Sequence, residues 1–204
     1  MTGTRGHLGL LGLFAAALSW SAVRPHDPFT WMLEVLPAVL GAAVLVLLYP
    51  RFRFTTFVYG WILVHALILV VGGHYTYAEV PLFNWIRDEF GLARNYYDRV
   101  GHFAQGFVPA VIVRELLLRR TPLTRGGWLA TLTVCVCLAI SAAYELLEFA
   151  VARLTGTAAD AFLGTQGDVW DTQWDMLLAL IGAVCALLLL SRTHDRALAK
   201  LERR

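Results

Sequence analysis

Asp98 and His102 lie four residues apart, a carboxylate one helical turn before an imidazole. On a helix that spacing puts both on one face, where the carboxylate can fix the imidazole tautomer or join it in holding a metal ion. Gln105 follows three residues later, near that face. Pro109 removes a helical N–H donor and so frees the Gln105 carbonyl, about one turn below His102. Glu145 and Glu148 are three apart in an otherwise apolar run, and two carboxylates on one such helix need partners, a metal or a shared proton. Asp168, Asp171 and Asp175 form a third group, preceded by Gln166 and Gly167. Capping of free backbone N–H groups accounts for Asp168 and Asp171 as well as chemistry does, whereas Asp175 is a turn too deep for it.

All three groups sit on or beside hydrophobic segments, where an ionisable side chain costs about 3 kcal/mol or more. Together they predict a buried, hydrated or metal-filled site. Acid–base or positioning roles fall to Asp98, His102, Gln105, Glu148, Gln166 and Asp168. A divalent cation (Mg, Mn or Zn) would draw its ligands from Asp98, His102, Glu145, Glu148, Asp171 and Asp175. With no Ser or Cys nucleophile beside His102 in these stretches, water activated by a metal is the expected attacking group. No organic cofactor is indicated. His65, mid-run, reads as a packing residue, and Glu34 is left outside the site with it. Arg114-Glu115 reads as an ion pair whose side chains snorkel to the surface.

The elements that must position these residues are membrane helices. With 58% apolar and 16% charged residues the chain is too hydrophobic for an ordinary soluble domain. Six apolar runs, near 7–23, 31–49, 55–73, 102–119, 128–151 and 172–191, are each long enough to cross a hydrocarbon core of about 30 Å. The expectation is one all-α polytopic bundle over residues 1–204. Arg5 before the first run and Ser21-Ala22 after it would also suit a secretory signal, but no clear cleavage pattern follows, which favours a retained helix. Between the third and fourth runs, PLFNWIRDEF at 81–90 reads as a short interfacial helix, an anchor or a lid for the site.

Twelve of the 17 Lys and Arg residues fall on one side of these runs, and 12 of the 15 acids on the other. The basic side is expected to face the cytoplasm, with both termini, and the acidic cluster the outside. The tail after Ser191 reads as an anchor for anionic headgroups, so membrane lipids are the expected partners. Nucleic-acid binding is not expected, because the positive charge is spread over short loops and a tail. Cys135, Cys137 and Cys185 fall within the runs and read as small core residues. Oligomeric state is left open.

The stretches YDRVGHFAQG at 97–106, ELLE at 145–148 and GTQGDVWDTQWD at 164–175 resemble the YjdF family of bacterial inner-membrane proteins, over nearly the whole chain. The chain is also similar, more faintly, to VanZ-like membrane proteins, through Asp98, His102, Phe103, Glu145, Glu148, Asp171, Asp175 and Gly182. It departs from that pattern at Glu148, where Gln is frequent, and at Asp175, where Asn is frequent. Both changes make the site more acidic and favour a cation. These resemblances imply architecture and an inner-membrane location. For function, a metal-dependent hydrolase or transferase acting on a lipid or cell-envelope precursor ranks first. A cation- or proton-coupled transporter, or a non-enzymatic envelope receptor or assembly factor, remains open.

Overall fold

The apolar runs become helices whose ends are set by capping residues. In the computed structural model, which describes residues 3–156 and 160–202, the order is α1 (Thr4–Ser21), α2 (Pro28–Leu48), α3 (Thr56–Tyr75), α4 (Pro81–Phe90), α5 (Tyr97–Arg120), α6 (Gly127–Thr155), α7 (Asp160–Leu163) and α8 (Asp171–Glu202). Asp27 caps α2 by accepting from the Thr30 N–H at 2.6 Å, with Pro28 pre-set for the first turn. Thr55 caps α3 through the Val58 N–H. Pro81 opens α4, and Gly91, left-handed at φ 61°, closes it.

Among the described residues four helices, α2, α3, α6 and α8, are long and apolar enough to cross a membrane. α1 and α5 are the other two of the six expected crossings, and neither meets that standard of length and composition. For α5 the reason is its polar content: Asp98, His102, Arg114 and Glu115 are all buried inside the bundle instead of facing lipid. α5 is the central helix, packed chiefly against α8 and flanked by α6 and α3, while α1 and α2 both pack on α3. The α5–α8 contact is close because both helices present glycine. A Cβ on Gly106 would overlap the Ala179 carbonyl oxygen, and one on Gly182 the Phe103 carbonyl oxygen. Small residues at such a seam let backbones approach where lipid gives no hydrophobic drive to associate.

The tail after Ser191 is a continuation of α8, with His194 and Leu198 buried one turn apart and Arg192, Arg196 and Lys200 exposed; Arg203 and Arg204 lie outside the described residues. One reading of the basic end needs correcting. Arg114 and Glu115 do not pair with each other or snorkel. Neighbours in sequence point about 100° apart on a helix, so each takes different partners. Arg114 binds Asp195 at 2.7 Å, and Glu115 accepts from the Thr55 N–H and hydroxyl, both 2.8 Å, and meets Arg119 and His194.

Candidate functional site

Tyr97 begins α5 with its N–H donated to the Asn95 side chain, so Asp98 and His102 share a helix face from the first turn. His102 is the centre of the cluster. Its Nε2 lies 3.4 Å from Asp98 Oδ1 and 3.6 Å from Asp175 Oδ1, and its Nδ1 lies 3.3 Å from Gln105 Oε1 and 3.8 Å from Glu145 Oε1. Asp98, His102 and Asp175 are buried, and each offers one ligand atom within 4.8 Å of the others. Glu145 Oε1 is also buried, with no hydrogen-bond partner among the described residues. Glu148 faces a neighbouring cavity of about 140 Å³, shared with Asp98, His102 and Gln105. The three stretches read as separate in sequence therefore meet around one imidazole.

Asp168, Asp171 and Gln166 take different surroundings. Asp171 Oδ1 receives Arg94 and Arg99, each at 2.6 Å. Asp168 holds Arg99 at 3.1 Å with one oxygen and the Trp170 N–H with the other. Gln166 is spent on the backbone of Asn95, donating to its carbonyl and accepting from its N–H, both at 2.9 Å. These contacts pin the loop before α8, where Gly164 and Gly167 are left-handed, to the start of α5.

Sequence reasoning missed Arg94 and Arg99, counting them as ordinary charge in the outer loop. Arg94 is buried and binds Asp98, Asp171 and the Gly164 and Thr165 carbonyls. Arg99 bridges Asp98, Asp168, Asp171 and Asp175. The available signal was their spacing, Arg94 four residues before Asp98 and Arg99 one residue after it. Glu34 and His65, left outside the site, line the same cavity as His102 and Glu148, together with Tyr77 and Tyr144. Burial pushes the Tyr77 phenol well above the usual tyrosine range, so it stays a neutral donor. The cavity wall comes from α2, α3, α5, α6 and Tyr77, with no residue of α4. α4 instead exposes Leu82, Trp85 and Phe90, packs Phe83 on Tyr97, and is tied by Asn84 to Asn95.

The arrangement suits cation chemistry. An ion bonded at about 2.1 Å holds neighbouring ligand atoms roughly 3.0–3.4 Å apart, close to the spacings around His102 Nε2. A donated Nδ1–H on Gln105 would fix the tautomer that leaves Nε2 free to bind. Arg99 competes for the same carboxylates, since its Nη1 already contacts Asp175 Oδ1.

Residues 6–196 match the family described as "Predicted membrane protein (DUF2238)". The chain is 45% identical over 183 residues to a protein of Escherichia coli (strain K12) named "Inner membrane protein YjdF", which covers 90% of this chain and 88% of that one. No solved structure matches the chain.

Proposed function

Because the chain belongs to the DUF2238 family of predicted membrane proteins, whose description gives a location and not a reaction, we propose an activity from the site itself. The protein is a membrane enzyme that hydrolyses or transfers a phosphoryl or acyl group of a lipid or cell-envelope precursor, using a divalent cation at Asp98, His102 and Asp175. One observation carries this reading: His102 Nε2 faces two carboxylate oxygens at 3.4 and 3.6 Å, and the orphaned Glu145 oxygen adds a further acceptor on the other side of the ring. Those distances are long for charge-assisted hydrogen bonds, and Arg94 and Arg99 alone do not balance the carboxylates of Asp98, Glu145, Glu148, Asp168, Asp171 and Asp175, so a further positive charge is called for.

When bound, the cation would supply Lewis acidity toward the substrate's oxygen. Gln105 orients His102, and Glu148, on the cavity wall, is placed to accept or return a proton. Arg94 and Arg99 hold the α8 loop and so set the position of Asp175. The orientation expected from the basic residues puts this site on the outer side of the inner membrane. Transport fits less well. Between this site and the Glu115–His194 network, α5 and α8 meet through Gly106, Ala110, Ala179, Ala183 and Ala186, a seam whose side chains carry no cation or proton.

The test is the metal content of detergent-purified protein by elemental mass spectrometry, with Asp175→Asn and His102→Ala beside wild type. Near-stoichiometric metal that falls in both variants, at unchanged gel-filtration profile, supports the reading. Wild type that stays metal-free after supplementation with Mg²⁺, Mn²⁺ and Zn²⁺ overturns it.

A further inference from the structure

Along the opposite half of the bundle α1, α2, α3 and α5 enclose an open apolar groove of about 780 Å³. On α2 it runs from Pro37 to Leu48, roughly 17 Å at 1.5 Å per residue, which is close to the depth of one leaflet, about 15 Å. Its deep end is closed by Pro37, His65 and Leu69, and those residues also wall the polar cavity. Its shallow end carries Tyr49, Phe52, His7 and Arg120.

The charge at that shallow end is uncompensated. Among the described residues Arg51, Arg53 and Arg120 have no carboxylate within 4.0 Å, although the other end of the molecule carries most of the acids. Arg53 lies over the Tyr49 ring at 4.6 Å and Arg120 over Phe52 at 4.7 Å, and Arg120 donates to the Arg51 carbonyl at 3.2 Å. These contacts set the Arg53 and Arg120 guanidiniums, with the exposed Arg51 in the same loop, beside the mouth of an aliphatic slot one leaflet deep. A cationic rim on such a slot matches a phosphate joined to an acyl chain.

We propose that this groove is a binding site for one anionic phospholipid, its phosphate at Arg51, Arg53 and Arg120 and one acyl chain in the slot. The chain end abuts His65, so the bound lipid closes the side of the polar cavity that faces the groove. The proposal stands apart from the enzyme reading, because it uses none of the residues assigned to the cation.

The experiment is native mass spectrometry of the purified protein titrated with phosphatidylglycerol or with phosphatidylcholine of the same chains. Gly41 lines the slot and has open space where a Cβ would go, so Gly41→Leu fills the groove without a clash. One phosphatidylglycerol per chain is expected to outlast the loosely held lipids, with phosphatidylcholine bound at least tenfold more weakly. Gly41→Leu should lose both lipids. Arg51→Gln and Arg120→Gln should each weaken phosphatidylglycerol about fivefold, near 1 kcal/mol per arginine, and weaken phosphatidylcholine, whose choline offsets its phosphate, by less. Equal binding of the two lipids, or undiminished phosphatidylglycerol binding by Gly41→Leu, overturns the proposal. The exposed Arg51→Gln variant decides the matter if Gly41→Leu does not fold.

Discussion

A neutral imidazole that donates Nδ1–H to Gln105 would turn its Nε2 lone pair toward Asp98 and Asp175, a contact that is repulsive unless the ring takes a second proton or a cation enters it. Arg99 is one such cation already at hand, and Arg99→Gln separates the possibilities. Removing one partner of a buried ion pair costs about 3–5 kcal/mol. If a divalent ion occupies the site, Zn²⁺ or Mn²⁺ at 100 times its Kd returns about 2.7 kcal/mol, seen as a thermal midpoint raised by roughly 5 °C or more. We expect that rescue in Arg99→Gln and its loss in Arg99→Gln with His102→Ala. A variant that melts low and ignores both metals would make Arg99 the resident cation. The residues around His102 were legible in the sequence because an acid in an apolar run is expensive and demands a reason. The arginines were not, since a basic residue at the end of a run is expected there anyway. Glu34 and His65 stand alone in their runs, and only the packing of α2 and α3 on α5 brings them to the cavity.

At the scale of elements, the α5–α8 seam holds Asp175 within reach of His102, and two glycines allow it. Gly106→Leu and Gly182→Leu each drive a side chain into a facing carbonyl, so each should lower stability by about 3 kcal/mol or more and reduce the yield of monodisperse protein. Gly41→Leu is the size-matched control in open space, and thermal melts of the three variants check the ranking. A smaller effect is expected where α2 begins. The Thr30 N–H holds the Asp27 carboxyl below its ordinary range, so this cap is present above the unfolded-state pKa and is lost as pH falls through the lower, folded one. Asp27→Ala should cost about 1 kcal/mol near neutral pH and progressively less in acid, as read by thermal midpoints against pH. The long helices follow the hydrophobic runs of the sequence within a few residues, apart from the two that overrun. α5 starts five residues early because its first turn is polar, and α8 runs on to Glu202 because His194 and Leu198 repeat on one buried face. A hydropathy reading stops where charge begins, whereas the helix stops where packing does.

Across the whole molecule charge divides by end. The cluster around His102 lies with α4 and the loops that precede α5 and α8, while Arg51, Arg53, Arg119, Arg120 and Arg125 gather at the other end with the Glu115–His194 network. Since basic loops are retained on the cytoplasmic side, the acidic site should open to the outside and the proposed lipid groove to the inner leaflet. Glu89 on α4 and Thr124 in the α5–α6 turn are both exposed and lie at opposite ends, so cysteine at each reports the orientation. The chain's own Cys135 is exposed within the apolar run of α6, and in a membrane-spanning helix a charged reagent would not reach its thiol. In intact cells opened only at the outer envelope, Glu89→Cys should react with a membrane-impermeant maleimide. Thr124→Cys should react only after the inner membrane is broken. The reverse pattern would turn the His102 site toward the cytoplasm, and a substrate drawn from the outer face of the membrane would then be excluded. The expected pattern ties the two polar ends to different compartments: the proposed cation site would be reached from outside, and the proposed lipid slot filled from within.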